Sequence, residues 1–369
     1  MRQSALHEFH KSHGATFASM GGWEMPLHYG DGEAAECLRV RRVGGIIDRS
    51  FLGKLLLTGR DRVKFLQGMV TNNVNLVTTE KGLYSLIVTV KGKIVADFAL
   101  YGLEEAMLMV LQPESTTVVQ HLLDRYIITS QVQIEDVSGR WGILSLHGPQ
   151  SARLLEKVFG EPLAEREEYA VDLLQWGDQI IRLVHRYELG ERGFDLLVLM
   201  DRIEPLWKVL SKEGEGMEIL PFGLQAFETL RIEAGTPRYG HDMDENIFPL
   251  EADVEHAVSY DKGCYIGQET VTRMKFRGHA NRCRVGLEIR GDVLPCKGDL
   301  LKQGDKEVGM ITSATFSPTL QKALAMGYVR REYTATGTEL VLKLSSGETI
   351  ATVSKLPFVD QYRPSVQSV

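Results

Sequence analysis

The sequence predicts an α+β protein of more than one domain that ends in a small β-barrel. Three observations point there. The chain has 369 residues, too many for one ordinary hydrophobic core. Its longer first part mixes helical periodicity with short alternating strands. From about Arg282 onward only short β-rich runs remain, separated by Gly-containing turns, in the regular spacing of a barrel or sandwich. The change falls between Arg277 and Arg282, giving a first region 1–280 and a β-barrel 281–369.

Composition narrows the class. Apolar residues make up 43% and charged residues 25%, the balance of an ordinary globular protein. No apolar run reaches the roughly eighteen residues that a membrane-crossing helix needs, so no membrane association is expected. The opening MRQSALHEFHKSHG lacks an apolar stretch followed by a small-residue cleavage site. Four cysteines in a chain this long form no disulfide framework and suit a reducing compartment. The expected location is therefore the cytoplasm, or an organelle matrix if a targeting segment is missing. A net charge of −7 argues against nucleic-acid binding. The exception is local: between Thr270 and Leu287 there is no acid, while Arg273, Lys275, Arg277, Arg282 and Arg284 are basic. That strip reads either as a solvated face or as a docking strip for an anionic partner.

Along the chain, GKLLLTG (53–59) reads as a strand between turns. Residues 84–90 and 94–101 read as a hairpin turned at Lys91-Gly92-Lys93. Alternation in the second strand puts Ile94, Ala96 and Phe98 on one face, and Val95, Asp97 and Ala99 on the other. Asp97 is thus a carboxylate among small and aliphatic neighbours, where burial would perturb its pKa. The next strand spans 107–111. A helix is predicted from Gln150 to about Val158, closed by Gly160. In PFGLQAFETLRIEAG (221–235), Leu224, Phe227, Leu230 and Ala234 have helical spacing, and Gly235 suits the C-terminal cap. Barrel strands are expected at 285–289, 308–311, 325–329, 339–344 and 350–353.

No P-loop, GxGxxG, HExxH, CxxC or GxSxG motif occurs, and cysteine spacing predicts no metal site. One segment stands out: Lys262, Gly263, Cys264, Tyr265, Ile266, Gly267, Gln268, Glu269. Its glycines imply a tight backbone path around a Cys-Tyr pair. Lys262 and Arg273 nearby would favour the thiolate of Cys264, making it a candidate reactive group. The alternative is a buried small hydrophobe.

Ordered matches along most of the chain carry a resemblance. They are GGWEMPL (21–27), RRVGGIIDRSFLG (41–53), residues 84–100, GERGFDL (190–196), LRIEAGTPRYGHDMDENIFPL (230–250), TSATFSPTLQKALAMGYV (312–329) and VSKLPFVDQY (353–362). Together they resemble the glycine-cleavage T-protein (aminomethyltransferase) family. The KGCYIGQE segment is instead similar to the YgfZ-type folate-binding relatives of that family, which are implicated in maintaining iron–sulfur enzymes.

The resemblance implies three domains around a central folate channel: two intertwined α+β subdomains within 1–280, and the C-terminal β-barrel. It implies tetrahydrofolate, or a one-carbon-substituted folate, as the bound cofactor. It maps the family's catalytic aspartate, near the pterin N5, onto Asp97, with Ala96 in place of a preceding acid. The pterin-contacting tyrosine matches Tyr84, and a C-terminal folate-site tyrosine matches Tyr362. A pterin-anchoring glutamate falls at Asp195, whose carboxylate can accept two parallel N–H bonds. Phe227 stands where the family has a folate-contacting arginine, with Arg231 retained one turn later. Read without the resemblance, Asp97 is equally a lysine-paired strand carboxylate, Tyr84 core packing and Asp195 a turn residue.

Two functions are expected from these residues. The first is a folate-dependent protein supporting iron–sulfur cluster assembly or repair, with Cys264 supplying a thiol and iron–sulfur proteins as partners. The alternative is aminomethyl transfer from a lipoyl carrier protein to tetrahydrofolate, with Asp97 catalytic and the basic strip docking an acidic carrier.

Overall fold

The computed structural model describes residues 1–360 and 362. A mixed six-stranded sheet, an antiparallel five-stranded sheet and a closed barrel carry most of the chain, with a three-stranded sheet of Arg2–Gln3, Trp23–His28 and Thr16–Met20 at the N-terminus. The chain enters the six-stranded sheet at Gly45–Asp48 and crosses at once into the five-stranded sheet through Gly53–Thr58. It builds that sheet to Gln133–Asp136, then returns to the first through Trp141–His147. The two sheets are therefore interleaved in sequence.

Each sheet has a covered outer face. Helices Ser151–Phe159 and Ile203–Glu215 lie over the six-stranded sheet, burying Leu154, Leu155, Leu206 and Trp207. Gly160 closes the first of them in the left-handed region (φ 77°), as its position after the apolar stripe predicted. Helices Arg62–Met69 and Thr116–Asp124 cover the five-stranded sheet through Phe65, Leu66, Val119 and Leu123. The inner faces meet in a third core, where Ala99, Tyr101 and Val110 oppose Ile143, Val184 and Leu197. The functional cavity opens off this inner core.

The expected hairpin is present as Leu83–Val88 and Ile94–Gly102, with Gly92 at the turn (φ 77°). Its alternation differs from the expectation at one end. Val95 is an extra residue opposite Ile87 and Val88, where the register shifts. It joins Ala96, Phe98 and Leu100 on the outer face, while Ile94 enters a different cluster. A β-bulge places two successive residues on one side, which strict alternation cannot anticipate. Beyond it, Asp97, Ala99 and Tyr101 turn towards the inner side.

The barrel closes in the order Arg282–Ile289, Lys322–Arg330, Lys306–Ser317, Leu300–Gln303, Glu339–Leu344, Gly347–Ser354. The five expected runs all lie within its strands. The sixth, Leu300–Gln303, was missed because LLKQ is too short and half-polar to stand out. Helix Leu224–Glu233 joins the barrel to the two sheets. Arg231 on this helix donates to Asp242 at 2.7 Å and to Ser313 of the barrel at 2.8 Å. Asp242 also accepts from Thr312 at 2.5 Å and Ser313 at 2.8 Å. Its carboxylate is wholly buried, and burial alone would raise its pKa. The charge of Arg231 and the two hydroxyls outweigh that and hold it below the usual range.

Removing this carboxylate strands a buried guanidinium, so Asp242→Ala should destabilise by about 3–5 kcal/mol in urea unfolding. Because the folded pKa is depressed, the ionised group stabilises fully above pH ~4 and loses that contribution as pH falls through its folded value. Asp242→Asn should therefore flatten the acid limb of a stability–pH profile.

Candidate functional site

A cavity of about 540 Å³ lies where the two sheets, the Leu224–Glu233 helix and the barrel meet. Five arginines (Arg49, Arg186, Arg231, Arg238, Arg284) and five acids (Asp97, Glu168, Glu188, Asp195, Asp253) are among its lining residues. So even a balance does not suit a polyphosphate, which needs excess positive charge. It suits a polar, nearly neutral ligand held by directed hydrogen bonds.

The inward register of Ile94–Gly102 presents Asp97, and Tyr84 on the paired strand donates its hydroxyl to Asp97 Oδ2 at 2.9 Å. The surrounding walls desolvate Asp97 and raise its pKa to about 6, with the Tyr84 bond and the charge of Arg186 pulling the other way. Such a carboxylate can hold or release a proton near neutrality. The Tyr84 ring stands 6.2 Å from Tyr169 at 12° and 5.4 Å from His256 at 18°, forming a flat aromatic wall. Tyr169 adopts φ 66°, a costly conformation for an aromatic residue. Backbone bonds to His185 O (2.9 Å) and from Gly82 N (2.8 Å) hold it there.

Opposite stands a charge cluster. Arg49 donates to Glu188 Oε1 at 2.5 Å, and Arg186 Nη2 forms an ion pair with Glu188 Oε2 at 2.9 Å. Asp195 lies in strand Gly193–Leu199, not in a turn, and its Oδ1 accepts from Ser145 at 2.5 Å. The two guanidiniums hold Glu188 well below the ordinary carboxylate range despite its burial. His147, Glu188 and Asp195 each offer one ligand atom within 4.8 Å of the others. This is a poor cation site, because Arg49 and Arg186 already neutralise both carboxylates. Burial and both arginines push His147 down to about 3, despite the opposing charge of Glu188, and keep it neutral.

The structure gathers Tyr84, Asp97, Asp195, Arg231 and Tyr362 around one cavity. Arg231 is nevertheless committed elsewhere. Its five N–H donors go to Glu228 (twice), Thr236 O, Asp242 and Ser313. A guanidinium with no free donor positions the cavity wall and does not replace the arginine absent at Phe227. Phe227 itself packs under Arg49, 4.6 Å from ring centroid to guanidinium carbon. Tyr362 donates to Glu165 at 2.7 Å and packs against Tyr187, 5.3 Å between ring centroids.

Sequence reasoning missed Arg49, Glu168, Tyr169, Arg186 and Glu188. Arg186 and Glu188 lie just before GERGFDL, two residues apart, Arg186 ending strand Gln179–Arg186 and Glu188 in the turn that follows. That spacing was the available signal. Glu168 and Tyr169 sit in a connection with no periodicity.

Cys264 is not among the lining residues, and it is exposed rather than buried. The groups expected to activate it are turned to other tasks. Lys262 donates to the carbonyls of Val70 (2.7 Å) and Asn72 (2.8 Å), and burial lowers its pKa to about 8. Arg273 pairs with Glu269 within helix Gln268–Arg277. Tyr265 is buried, and Gly267 starts that helix at φ 83°. The basic strip is also largely neutralised: Lys275 pairs with Glu255, Arg282 with Glu251, and Arg284 is buried against backbone carbonyls. Arg277 is exposed. Among the described residues, no helix is long and apolar enough to cross a membrane.

Residues 6–262 match the GCVT N-terminal domain, and residues 282–360 match the glycine cleavage T-protein C-terminal barrel domain. The aminomethyltransferase of Halothermothrix orenii is 30% identical over 97% of this chain and 100% of its own length. That of Desulfitobacterium hafniense is 33% identical over 92% and 93%. The crystal structure of the glycine cleavage system aminomethyltransferase T from Bartonella henselae superposes with a TM-score of 0.89 at 26% identity, covering 99% of both chains.

The two motif glycines should respond oppositely to a methyl group. A Cβ at Gly267 would lie 2.4 Å from Thr89 O, whereas nothing lies within 4 Å of one at Gly263. Thermal or urea unfolding should show Gly267→Ala destabilised by about 2–4 kcal/mol and Gly263→Ala within ~0.5 kcal/mol of the parent.

Proposed function

This chain belongs to the glycine cleavage T-protein family, and from that premise we propose that it transfers a one-carbon unit from an aminomethyl-lipoyl carrier to tetrahydrofolate. The observation that carries the reading is Asp97, a cavity carboxylate with a pKa near 6, held by Tyr84 beside flat aromatic walls. A cavity of about 540 Å³ has room for a fused heterocycle, and Asp195 offers a carboxylate to its N–H groups. When bound, tetrahydrofolate supplies the two nitrogens that take the methylene carbon, with release of ammonia and the free lipoyl thiol.

Asp97 accepts the proton shed at the attacking nitrogen and balances positive charge developing on the methylene carbon. Tyr84 donates to its Oδ2, fixing the carboxylate and favouring its ionised form. The walls around Tyr169 exclude water and strengthen that interaction. Arg49 and Arg186 orient Glu188 and Asp195 on the other side, so the acceptors are in place before the ligand arrives.

The KGCYIGQE segment motivates a second reading, support of iron–sulfur enzymes through Cys264, and the exposure of that thiol is the observation in its favour. Cells carrying Cys264→Ser should then lose iron–sulfur enzyme activity. The names of the relatives above favour transfer over this role.

Methylene-tetrahydrofolate and ammonia formation from an aminomethyl-loaded carrier tests the main reading. Asp97→Asn should lower kcat by roughly 10²–10⁴-fold, the range for a lost general base. Since the ionised carboxylate is the working form, kcat/KM should rise with pH through about 6 and then level. Tyr84→Phe removes a bond that lowers the Asp97 pKa, so this limb should move to higher pH. Folate binding with undiminished transfer in Asp97→Asn overturns the mechanism.

A further inference from the structure

The charges around the cavity balance in number but not in place. Arg49 and Arg186 are paired with Glu188 and Asp195, Arg231 with Glu228 and Asp242, and Arg238 with Glu228. Arg284 is the remaining cavity arginine, and its described partners include no acid. Its Nε donates to Ala252 O at 2.9 Å, and its Nη1 to Gly235 O at 2.6 Å and Met326 Sδ at 3.3 Å. Nη2 has no partner among the described residues, and they do not seal it off. The residue is only 8% exposed. Burial pulls its pKa below the ordinary arginine value, against the opposing charge of Asp242. Carbonyl dipoles satisfy donors without neutralising a charge, and a buried cation ordinarily has a counter-ion because desolvating it alone is costly. Arg284 therefore lines the cavity with an uncompensated charge and a free donor.

The counter-ion that the chain does not supply can come from the ligand. Tetrahydrofolate has an uncharged fused ring at one end and two glutamyl carboxylates at the other. The ring belongs with Asp97 and the aromatic wall of Tyr84, Tyr169 and His256. Arg284 is close enough to His256 for its charge to lower the pKa of that imidazole. Phe227 brings no charge to the cavity, and Arg231 has no donor to spare. We propose that Arg284 is the carboxylate-binding residue of this cavity, its Nη2 donating to a glutamyl carboxylate and drawing the ligand's tail onto barrel strand Arg282–Ile289. A carboxylate there accepts a charge-assisted bond and neutralises the guanidinium. A carboxamide in its place accepts the bond but leaves the charge uncompensated. The barrel then binds ligand as well as closing the cavity.

The inference rests on the folate reading, and one set of measurements separates the two. Calorimetry compares tetrahydrofolate with its diamide, in which both glutamyl carboxylates are carboxamides, on the full chain and on Arg284→Met. The full chain should bind the dicarboxylate roughly 10- to 100-fold more tightly, the scale of one hydrogen bond to a charged group. In Arg284→Met the ratio should fall towards one, mainly through weaker binding of the dicarboxylate. Equal binding of both compounds by the unaltered chain overturns the carboxylate site and leaves folate binding intact. An undiminished preference in Arg284→Met does the same. Failure of both compounds to bind the unaltered chain overturns the folate reading and this inference with it. Should Arg284→Met fail to fold, the unaltered chain still decides through an NMR titration of His256. A carboxylate on Arg284 offsets the charge that lowers the His256 pKa, so His256 should titrate at higher pH with tetrahydrofolate bound than with the diamide. The same His256 value in both complexes overturns the assignment to Arg284.

Discussion

The arrangement around the cavity depends on one buried ion pair, Arg231 with Asp242. Taking both charges out of water costs several kcal/mol, and their attraction offsets this only when the remaining donors and acceptors are also satisfied. Here they are, by Glu228, Thr236, Thr312 and Ser313. Those partners come from the helix, the segment after it and the barrel. A single network thus sets the angle of the barrel against helix Leu224–Glu233. Glu233, also buried, repeats the device two residues on, accepting from Arg41 at 2.8 Å and Ser317 at 2.5 Å. Apolar packing alone would tolerate sliding of the barrel on the helix. Charged hydrogen bonds with fixed partners do not.

With the frame held, the cavity can carry charges that would otherwise disrupt a core. Arg49, Arg186, Glu188 and Asp195 are mutually paired, so the cluster around Glu188 remains ionised and ordered. Asp97 stands outside that cluster. Among the described residues it pairs with no arginine, and the Tyr84 hydroxyl is its one side-chain hydrogen-bond partner. Two carboxylates of one cavity thereby acquire opposite tendencies: Glu188 is locked as an anion, while Asp97 is poised to take a proton near neutrality. The strained Tyr169 belongs to the same logic, since a rigid surround is what keeps an unfavourable backbone conformation populated.

Much of this was legible in the sequence, and the misses have physical causes. Elements with clear period or punctuation were found: the hairpin with Gly92 at its turn, the helix closed by Gly160, five of the barrel strands. The Val95 bulge was not, because an inserted residue leaves the local apolar pattern unchanged. Asp97 and Tyr84 were found through resemblance and then placed together by strand pairing. Arg49 was invisible for another reason. Its role arises from pairing with Glu188, 139 residues away in the sequence.

The KGCYIGQE segment shows how a conspicuous motif can be built for more than its reactive-looking atom. Read as chemistry, Lys262 belongs to the thiol. In the fold its ammonium ties two backbone carbonyls, and the side chain lies near Tyr265, 5.1 Å from Nζ to ring centroid. Gly267 allows close approach to Thr89, so the segment seats helix Gln268–Arg277 against the hairpin that carries Asp97 and Tyr84. Val88 and Ile94 of that hairpin share a core with Tyr265 and Val271. The lysine, the tyrosine and the second glycine are accounted for by this seating alone. Cys264, exposed between them, is not, and any selection acting on that thiol must come from outside the cavity.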